Sequence, residues 1–335
     1  MTTSRQCLAA ALLLSSISCG SSSAPTQPSG STGSSLQATC SATVTASTVG
    51  TTAAVTYLPP TVTGGTSPVS VTCTPASGAT FPLGTTSVSC IAADAASHQS
   101  TCSFNVVVNG VQLSAKKFSA VGDSLTEGEN GLPQGVITPQ FVDTPNSYPV
   151  KLLALLQASY PNQGMTMFSH GVGGDSTANT LAKLPAFLNS DQPDVVLVLS
   201  GYNNLTTPCA AAGYSNSACD TAINAMHEDL RSLIRTAKGF PTVRYVFVSN
   251  LTPGRSGTRA IDAARIVDAN NHIRTAVNAE GAFLVDSYSV FLGHETAYVS
   301  TDGLHLLPPG YQAMAQEFFN NIKIVVPSSA PQGIR

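Results

Sequence analysis

Charged side chains are scarce in this sequence of 335 residues, and they are unevenly distributed. Lysine and arginine together number 15 against 18 aspartates and glutamates, which gives a formal net charge of −3 at pH 7. A charge so close to zero provides no electrostatic reason to expect nucleic acid or an anionic membrane surface as a partner. Between Gly20 and Ala115 the only charged side chain is Asp94, and this change in composition predicts a domain boundary near residue 115.

Sequence motifs for a metal site are absent as well. None of the eight cysteines belongs to a C-x-x-C pair and no H-E-x-x-H motif occurs, so we expect neither a metal nor another cofactor. Eight cysteines less Cys7 and Cys19 of the amino-terminal segment leave six, an even number that is typical of an exported protein with disulfides. These six are Cys40, Cys73, Cys90, Cys102, Cys209 and Cys219. Their spacing alone leaves several pairings open for the first four.

The amino-terminal segment contains an apolar run that is too short to span a bilayer. Residues 8–14 are apolar and follow Arg5, a pattern that predicts an export signal over residues 1–19. We therefore expect an exported protein, located outside the cell or in a bacterial cell envelope.

Residues 16–19, Ser-Ile-Ser-Cys, are similar to the end of a bacterial lipoprotein signal. In such a signal the cysteine becomes the acylated first residue of the mature protein, so an acylated Cys19 would tether the chain to a membrane. Ordinary signal cleavage before Thr26 is an equally good interpretation. In both cases residues 20–36, which are rich in serine, glycine and proline, are expected to form a flexible linker.

Residues 37–109 are rich in threonine, valine and serine, and segments such as SVTCT and CSFNVVV alternate in polarity. Short alternating segments separated by proline and glycine predict a small β-sandwich. The segment SGATFPLGTTSVSCIAADAASHQSTCSFNVVV resembles the HYR (hyalin repeat) module, an immunoglobulin-like domain of extracellular proteins. The resemblance implies the disulfides Cys40–Cys102 and Cys73–Cys90, and by analogy it suggests a role in adhesion or carbohydrate binding.

Residues 117–326 differ in pattern, because apolar runs such as FSAV, DVVLVLS, VRYVFVS and AFLVD alternate with helical segments. This alternation predicts a parallel β-sheet with helices on both faces, followed by a short tail over residues 327–335. In an open parallel sheet, ligands bind beyond the carboxyl ends of the strands. Candidate site residues are therefore expected at those ends.

Two polar motifs lie at such positions. Ser124, in GDSLTEG, follows the first strand, where a serine is either a helix cap or a nucleophile, and the local sequence alone favours the cap. In STDGLHLLPPGY, one turn can present both Asp302 and His305, so that the carboxylate holds one ring nitrogen and the other faces a hydroxyl. The loop before the last helix can reach the end of the first strand, and the two signals therefore converge.

With these motifs, roughly residues 117 to 324 resemble the SGNH/GDSL hydrolase family. The four ordered blocks of that family are found here as GDSLTEG, GVGGDST, SGYNN and TDGLH. The resemblance implies a flavodoxin-like three-layer α/β/α fold. It also implies that Ser124 is the nucleophile, that His305 is the general base and that Asp302 orients the base. The oxyanion hole would comprise the backbone N–H groups of Ser124 and Gly174 and the side chain of Asn203.

The chemistry of these residue types supports the same roles. A serine hydroxyl is a poor nucleophile until a base takes its proton, and a neutral imidazole suits that task. An unperturbed His305 predicts that kcat/KM rises with pH through an apparent pKa of about 6 to 7. Gly174 and Asn203, taken singly, are equally well explained as a turn glycine and a loop-capping amide.

Two residues depart from the family pattern. Asn204 stands where many members have aspartate, which suggests that the loop of Asn203 is held less firmly. His170 stands where many members have asparagine, and we interpret it as a structural residue at a strand end. A disulfide Cys209–Cys219 would close a small loop beside the oxyanion hole, and residues 129–149 are expected to form another part of the rim.

The sequence thus predicts a serine esterase that hydrolyses small acyl esters through an acyl-serine intermediate. The expected partner is a small ester or an acylated glycan, for example an acetylated sugar. The enzymatic alternative is a lysophospholipase or thioesterase. An alternative of another class is a surface protein for adhesion or glycan binding with a weak hydrolase site.

Overall fold

The computed structural model describes residues 34–130, 141–161, 163–210 and 215–329. The predicted signal, the lipidation site at Cys19, most of the linker and most of the tail lie outside the described residues. Among the residues that the structure describes, no helix is both long enough and apolar enough to cross a membrane.

The amino-terminal module consists of short strands arranged in three small sheets. Its strands are β1 (Gln37–Thr39), β2 (Val44–Thr48), β3 (Thr52–Ala54), β4 (Thr61–Thr63), β5 (Ser70–Thr74), β6 (Thr80–Pro82), β7 (Gly84–Ala93) and β8 (Gln99–Gly110). The largest sheet has the order β2-β8-β7-β5, with β3-β6 and β1-β4 as separate pairs. Alternate residues of β7 and β8 are buried, and Val88 and Phe104 pack with Phe81 in one core, as expected for a β-sandwich.

In the part of the chain that the structure describes, three disulfides join Cys40 to Cys102, Cys73 to Cys90, and Cys209 to Cys219. The first two are the pairs that the HYR resemblance implies. Cys90 lies opposite Cys73 on one side and opposite Cys102 on the other, because β7 is paired with both β5 and β8. The two bonds therefore cross-link the largest sheet of the module to itself and to the segment before β2.

The carboxy-terminal domain is built on a parallel sheet of five strands. The strands of the whole domain are β9 (Gln112–Leu113), β10 (Lys117–Gly122), β11 (Glu129–Asn130), β12 (Phe141–Val142), β13 (Thr166–Gly171), β14 (Val195–Leu199), β15 (Tyr245–Ser249), β16 (Phe283–Val285) and β17 (Ser328–Ser329). The main sheet has the order β13-β10-β14-β15-β16 with all neighbours parallel. In this flavodoxin-like order the chain reverses direction across the sheet at β10, and ligands bind at such a switch point.

Helices cover both faces of this sheet, as the alternating sequence predicts. They are α1 (Ser124–Glu127), α2 (Tyr148–Ser159), α3 (Thr177–Asp191), α4 (Tyr202–Leu205), α5 (Asn216–Lys238), α6 (Ala263–Glu280), α7 (Ser287–Phe291), α8 (Glu295–Tyr298) and α9 (Pro308–Val325). Helix α5 packs against α3 and α6, whereas α2 and α7 pack against α9. All five residues of β14 are buried, which is typical of a central strand covered on both faces.

Two glycines allow the strand ends to approach the segments that carry the site. A Cβ atom on Gly122 would lie 1.9 Å from the carbonyl oxygen of Leu199, and one on Gly171 would lie 2.0 Å from the backbone nitrogen of Glu127. Neither distance is compatible with a side chain. The turn after β10 can therefore pack directly on the ends of β13 and β14.

The antiparallel pair β9 and β17 joins the beginning of the carboxy-terminal domain to its end. Leu113 of β9 is only 2% exposed and belongs to the core of this domain, and the Ser114 N–H donates to the carbonyl oxygen of Pro327. The core of the amino-terminal module contains other residues, from Cys40 to Val108. We therefore propose residues 37–109 and 117–326 as two domains, with β9 packed on the second.

A protein of residues 111–335 is expected to fold by itself, because it retains β9 and the whole second core. Circular dichroism should show an α/β spectrum and a single cooperative thermal transition. The matched control, residues 117–335, lacks β9 and should be less stable by about 1.5–3 kcal/mol, the effect of burying one leucine side chain. An unfolded or aggregated 111–335 protein beside a folded full-length chain would show that the proposed boundary is wrong.

Candidate active site

Ser124 lies at the tight turn between β10 and α1. Asp123 is the N-cap of this short helix, because its Oδ1 accepts a hydrogen bond from the Leu125 N–H at 3.1 Å. The capping function left open by the sequence thus belongs to Asp123. The hydroxyl of Ser124 is instead 3.0 Å from Nε2 of His305, so the serine faces the imidazole.

Asp302 and His305 lie in the loop between α8 and α9. The Nδ1 atom of His305 is 2.5 Å from Oδ2 of Asp302, while Oδ1 accepts from the backbone N–H groups of Leu304 and His305 at 3.0 Å. The Ser300 hydroxyl also donates to this Oδ1, at 2.6 Å. The carboxylate is therefore fixed on both oxygens, and it holds the imidazole with Nε2 directed at Ser124.

The charges around His305 change its protonation from that of a free imidazole. Burial lowers the pKa of His305, but hydrogen bonding to Asp302 and Glu129 outweighs this effect and raises the pKa to about 9. Burial also acts on Asp302, yet the hydrogen bonds from His305 and Ser300 keep the pKa of its carboxyl well below the usual value. An unperturbed imidazole led us to expect an apparent pKa of about 6 to 7 for the rise of kcat/KM with pH. The carboxylates around His305 move the expected value upward.

Glu129 is the site residue that sequence analysis missed. Its Oε2 atom is 3.4 Å from Nε2 of His305, and both side chains are nearly inaccessible to solvent. The sequence indicated only that residues 129–149 form part of the rim. A signal was available, since Glu129 is a carboxylate five residues after Ser124, but its contact with His305 depends on how the chain folds.

The three candidate oxyanion donors are the backbone N–H groups of Ser124 and Gly174 and the side-chain amide of Asn203. The Ser124 N–H is in the first turn of α1, where backbone N–H groups have no acceptor within the helix. Gly174 has a φ of +82° and no atom within 4 Å of a Cβ built on it, so its backbone borders open space. One N–H of the Asn203 amide donates to the Asp175 carbonyl oxygen at 3.0 Å, which leaves the second N–H for a ligand.

Gly173 brings the second block of the family against the serine. A Cβ atom on Gly173 would be 3.9 Å from the Cβ of Ser124, and the Gly173 N–H donates to Oε2 of Glu127 at 2.7 Å. The segment before Gly174 is therefore fixed beside Ser124 by a side chain of α1.

Asn204 holds the loop of Asn203 more firmly than the sequence suggested. Its Oδ1 accepts from the Thr177 N–H and its Nδ2 donates to the Thr177 hydroxyl, both at 3.0 Å. The hydroxyl of Thr177 in turn donates to Asp229 at 2.7 Å. The Asn204 amide thus fixes the segment after β14 to the start of α3, and the Asp229 carboxylate completes the network.

The other candidate residues have structural contacts. His170 stacks on Phe187, and its Nε2 is 2.7 Å from Oδ2 of Asp191, which agrees with a structural interpretation. Cys209 and Cys219 are both buried, and part of the loop between them lies outside the described residues. Within the described ranges, no group of three or more histidine, cysteine, aspartate or glutamate side chains could hold a metal ion.

Comparison with known proteins supports these assignments at the level of family and fold. Residues 120–313, more than half of the chain, match the GDSL-like Lipase/Acylhydrolase family, and residues 35–108 match the HYR domain. The chain is 26% identical over 214 residues to the spore germination lipase LipC of Bacillus licheniformis, covering 60% of this chain and 93% of that protein. It is 27% identical over 92 residues to an acetylxylan esterase of Geobacillus stearothermophilus, covering 28% and 41% respectively.

Solved structures show the same fold at low identity. A GDSL-like lipase from Parabacteroides merdae superposes with a TM-score of 0.51 at 19% identity, covering 64% of this chain and 99% of that one. The lipase/acylhydrolase of Enterococcus faecalis gives a TM-score of 0.50 at 19% identity, over 65% of this chain and 100% of that one. With the family match over more than half of its length, this chain belongs to the GDSL-like lipase/acylhydrolase family and is a hydrolase that acts on esters.

Proposed function

We propose that this protein is a serine esterase that forms an acyl-serine intermediate, with Ser124 as nucleophile, His305 as general base and Asp302 as the residue that orients the base. The observation that carries the proposal is the continuous hydrogen-bonded line from the Ser124 hydroxyl through His305 to Asp302. A nucleophile, a base and an orienting carboxylate in this order are the requirements for acyl transfer at a serine.

The reaction follows from this geometry in two halves. The Ser124 oxygen attacks the ester carbonyl while its proton moves to Nε2 of His305, and that proton then leaves with the alcohol as the acyl-serine forms. A water molecule next attacks the acyl-serine and gives its proton to the same Nε2, which returns it to Ser124 as the acid departs. Asp302 stays ionised throughout, in keeping with its lowered pKa.

The oxyanion that forms in each half requires hydrogen-bond donors already in place. We assign this role to the backbone N–H groups of Ser124 and Gly174 and to the free N–H of Asn203. Donors that are fixed before the reaction stabilise the developing charge without reorganisation, and the loss of one typically costs about 100- to 1000-fold in kcat. Thr177, through Asn204, keeps the Asn203 loop in position.

We further propose a small acyl ester, such as an acetylated carbohydrate, as the substrate. Ser124 and His305 are only 4% and 1% exposed, which favours a compact acyl group. The similarity to an acetylxylan esterase supports a carbohydrate ester, although that similarity covers a minor part of both chains. The HYR domain and the three disulfides are consistent with an extracellular protein, and we propose that the amino-terminal domain positions the enzyme on its substrate.

Replacing the nucleophile tests the proposed mechanism. Ser124→Ala is expected to abolish both ester hydrolysis and labelling by a fluorophosphonate, with little change in the thermal midpoint, because only one hydroxyl is removed. Ser103→Ala, on an exposed face of β8, is the matched control and should retain labelling and activity. Hydrolysis by the Ser124→Ala protein close to that of the wild type would end the assignment of the nucleophile.

A series of nitrophenyl esters tests the substrate class. For an enzyme of small acyl esters, kcat/KM should be highest for the acetyl ester and should fall by at least tenfold for acyl chains of eight carbons, because a buried site favours a compact acyl group. A tenfold fall in kcat/KM corresponds to a loss of about 1.4 kcal/mol of transition-state binding. A rise with chain length would instead favour the lysophospholipase or thioesterase alternative.

The pH profile tests the base. Only the neutral imidazole accepts the serine proton, so kcat/KM should rise with pH through an apparent pKa near 9, the value to which its partners raise His305. Asp302→Asn should move this rise to lower pH, because it removes a carboxylate that stabilises the imidazolium, and should reduce the rate by roughly 10⁴-fold. A profile that is flat from pH 6 upward in the wild type would contradict His305 as the base.

A further inference from the structure

We propose that Glu129 is a positioning residue that binds Nε2 of His305 in competition with Ser124 and so controls when His305 can act as a base. This inference rests on the proposed function, in which His305 takes the serine proton. It assigns to the buried segment after α1 a part in proton transfer, which neither the family motifs nor the rim interpretation contains.

The contact geometry places two oxygen atoms around one nitrogen. Nε2 of His305 is 3.0 Å from the Ser124 hydroxyl oxygen and 3.4 Å from Oε2 of Glu129. The side chains of His305 and Glu129 are 2% and 5% exposed, so water has little access to either group. Because Asp302 occupies Nδ1, Nε2 is the only ring nitrogen available to both oxygens.

The backbone of Glu129 is fastened to the same segment that carries His305. Its carbonyl oxygen accepts a hydrogen bond from the Tyr311 hydroxyl at 2.6 Å, and its neighbour Asn130 forms a β-bridge with Leu306. Asn130 also donates to Asp143 at 2.8 Å. The carboxylate is therefore brought to the imidazole by fixed backbone contacts and is not a surface side chain that swings into the site.

The presence or absence of a proton on Nε2 of His305 determines the state of the serine. When Nε2 carries a proton, its N–H can donate to Oε2 of Glu129 and the Ser124 oxygen can only accept, so the serine cannot be deprotonated. When that proton is lost to solvent, Nε2 presents a lone pair and the Ser124 O–H donates to it. The serine proton that moves to Nε2 during attack recreates the imidazolium, which Glu129 and Asp302 then stabilise from opposite sides of the ring.

Among the described residues, the carboxyl groups that interact with His305 are Asp302 in the loop before α9, Glu129 in β11 and Asp123 in the turn after β10. Each of them, when ionised, favours the charged form of the imidazole. Asp123 is buried, and burial raises its pKa to about 7, so its charge varies over the neutral range. Tyr311 contributes through a neutral hydroxyl that donates to the backbone of Glu129. Glu129 is thus the one carboxylate of this group that contacts Nε2.

The variant Glu129→Gln preserves the shape of the side chain and removes its charge. We expect the rise of kcat/KM with pH to move down by about one to three pH units, the effect of removing a close opposite charge. The rate at high pH should also fall, because the imidazole becomes a weaker base. Glu129→Asp, which keeps the charge but shortens the reach, should give an intermediate profile and serves if the glutamine variant does not fold.

Glu127→Gln is the matched control. Glu127 lies two residues earlier and contacts the Gly173 N–H instead of His305. This variant can lower the rate, because it loosens the Gly173 segment, but it should leave the position of the pH rise unchanged. If Glu129→Gln and Glu127→Gln displace the rise equally, the effect is one of general charge and the proposal for Glu129 is wrong.

Titration of His305 by NMR, with labelled histidine in the Ser124→Ala protein, gives a readout that does not need activity. Adding Glu129→Gln should lower the His305 midpoint by the same one to three units. An unchanged midpoint would overturn the proposal for Glu129, even if the wild-type protein hydrolyses esters. If the midpoint falls but the wild-type protein does not hydrolyse esters, the Glu129 contact is established and the proposed function is refuted instead.

Discussion

The strands and loops of the carboxy-terminal domain converge on one hydrogen bond between residues 181 positions apart, from Ser124 to His305. The serine follows the first strand of the main sheet and the histidine precedes the last helix. A parallel sheet places the carboxyl ends of its strands at one edge, and the order β13-β10-β14-β15-β16 puts the serine turn next to the ends of both β13 and β14. The blocks of Gly174 and Asn203 follow those two strands.

Close packing makes this edge a dry environment. Gly122 and Gly171 allow backbone segments to approach where a Cβ atom would collide, and His305 and Glu129 are almost fully buried. Electrostatic interactions are stronger where water is excluded, so neighbouring carboxylates have more influence on the imidazole than they would at the surface. The same tight packing that aligns the Ser124 hydroxyl with His305 therefore also alters the proton affinity of the imidazole.

The sequence was sufficient for those features that depend on local pattern or on ordered motifs. Apolar runs indicated the strands of the parallel sheet, and α9 begins at Pro308, a residue type that is common in the first turn of a helix. The four blocks singled out Ser124, Asp302 and His305, which the structure brings together. Once the chain forms an open parallel sheet, the blocks that follow its strands meet at the carboxyl ends of those strands.

Features that depend on contacts between distant segments were not predictable from one sequence. Glu129 reaches His305 because Tyr311 and Leu306 hold its backbone, and none of these contacts has a signature in the order of residues. Asn204 appeared to weaken its loop when judged by residue type, yet its two bonds to Thr177 hold that loop. The raised pKa of His305 likewise results from two carboxylates that arrive from different parts of the chain.

The pairing of β9 with β17 brings the two chain ends of this domain together, and these ends are the points at which another module or a surface is joined to it. Both strands lie at the edge where the main strands begin, because β9 leads directly into β10 and β17 lies beside it. Ser124 lies at the far end of β10, about 20 Å away along six residues of extended chain. A surface, a second module or a fusion partner joined at either end of the domain would therefore be attached at the amino ends of the main strands. The candidate active site would then face away from the attachment.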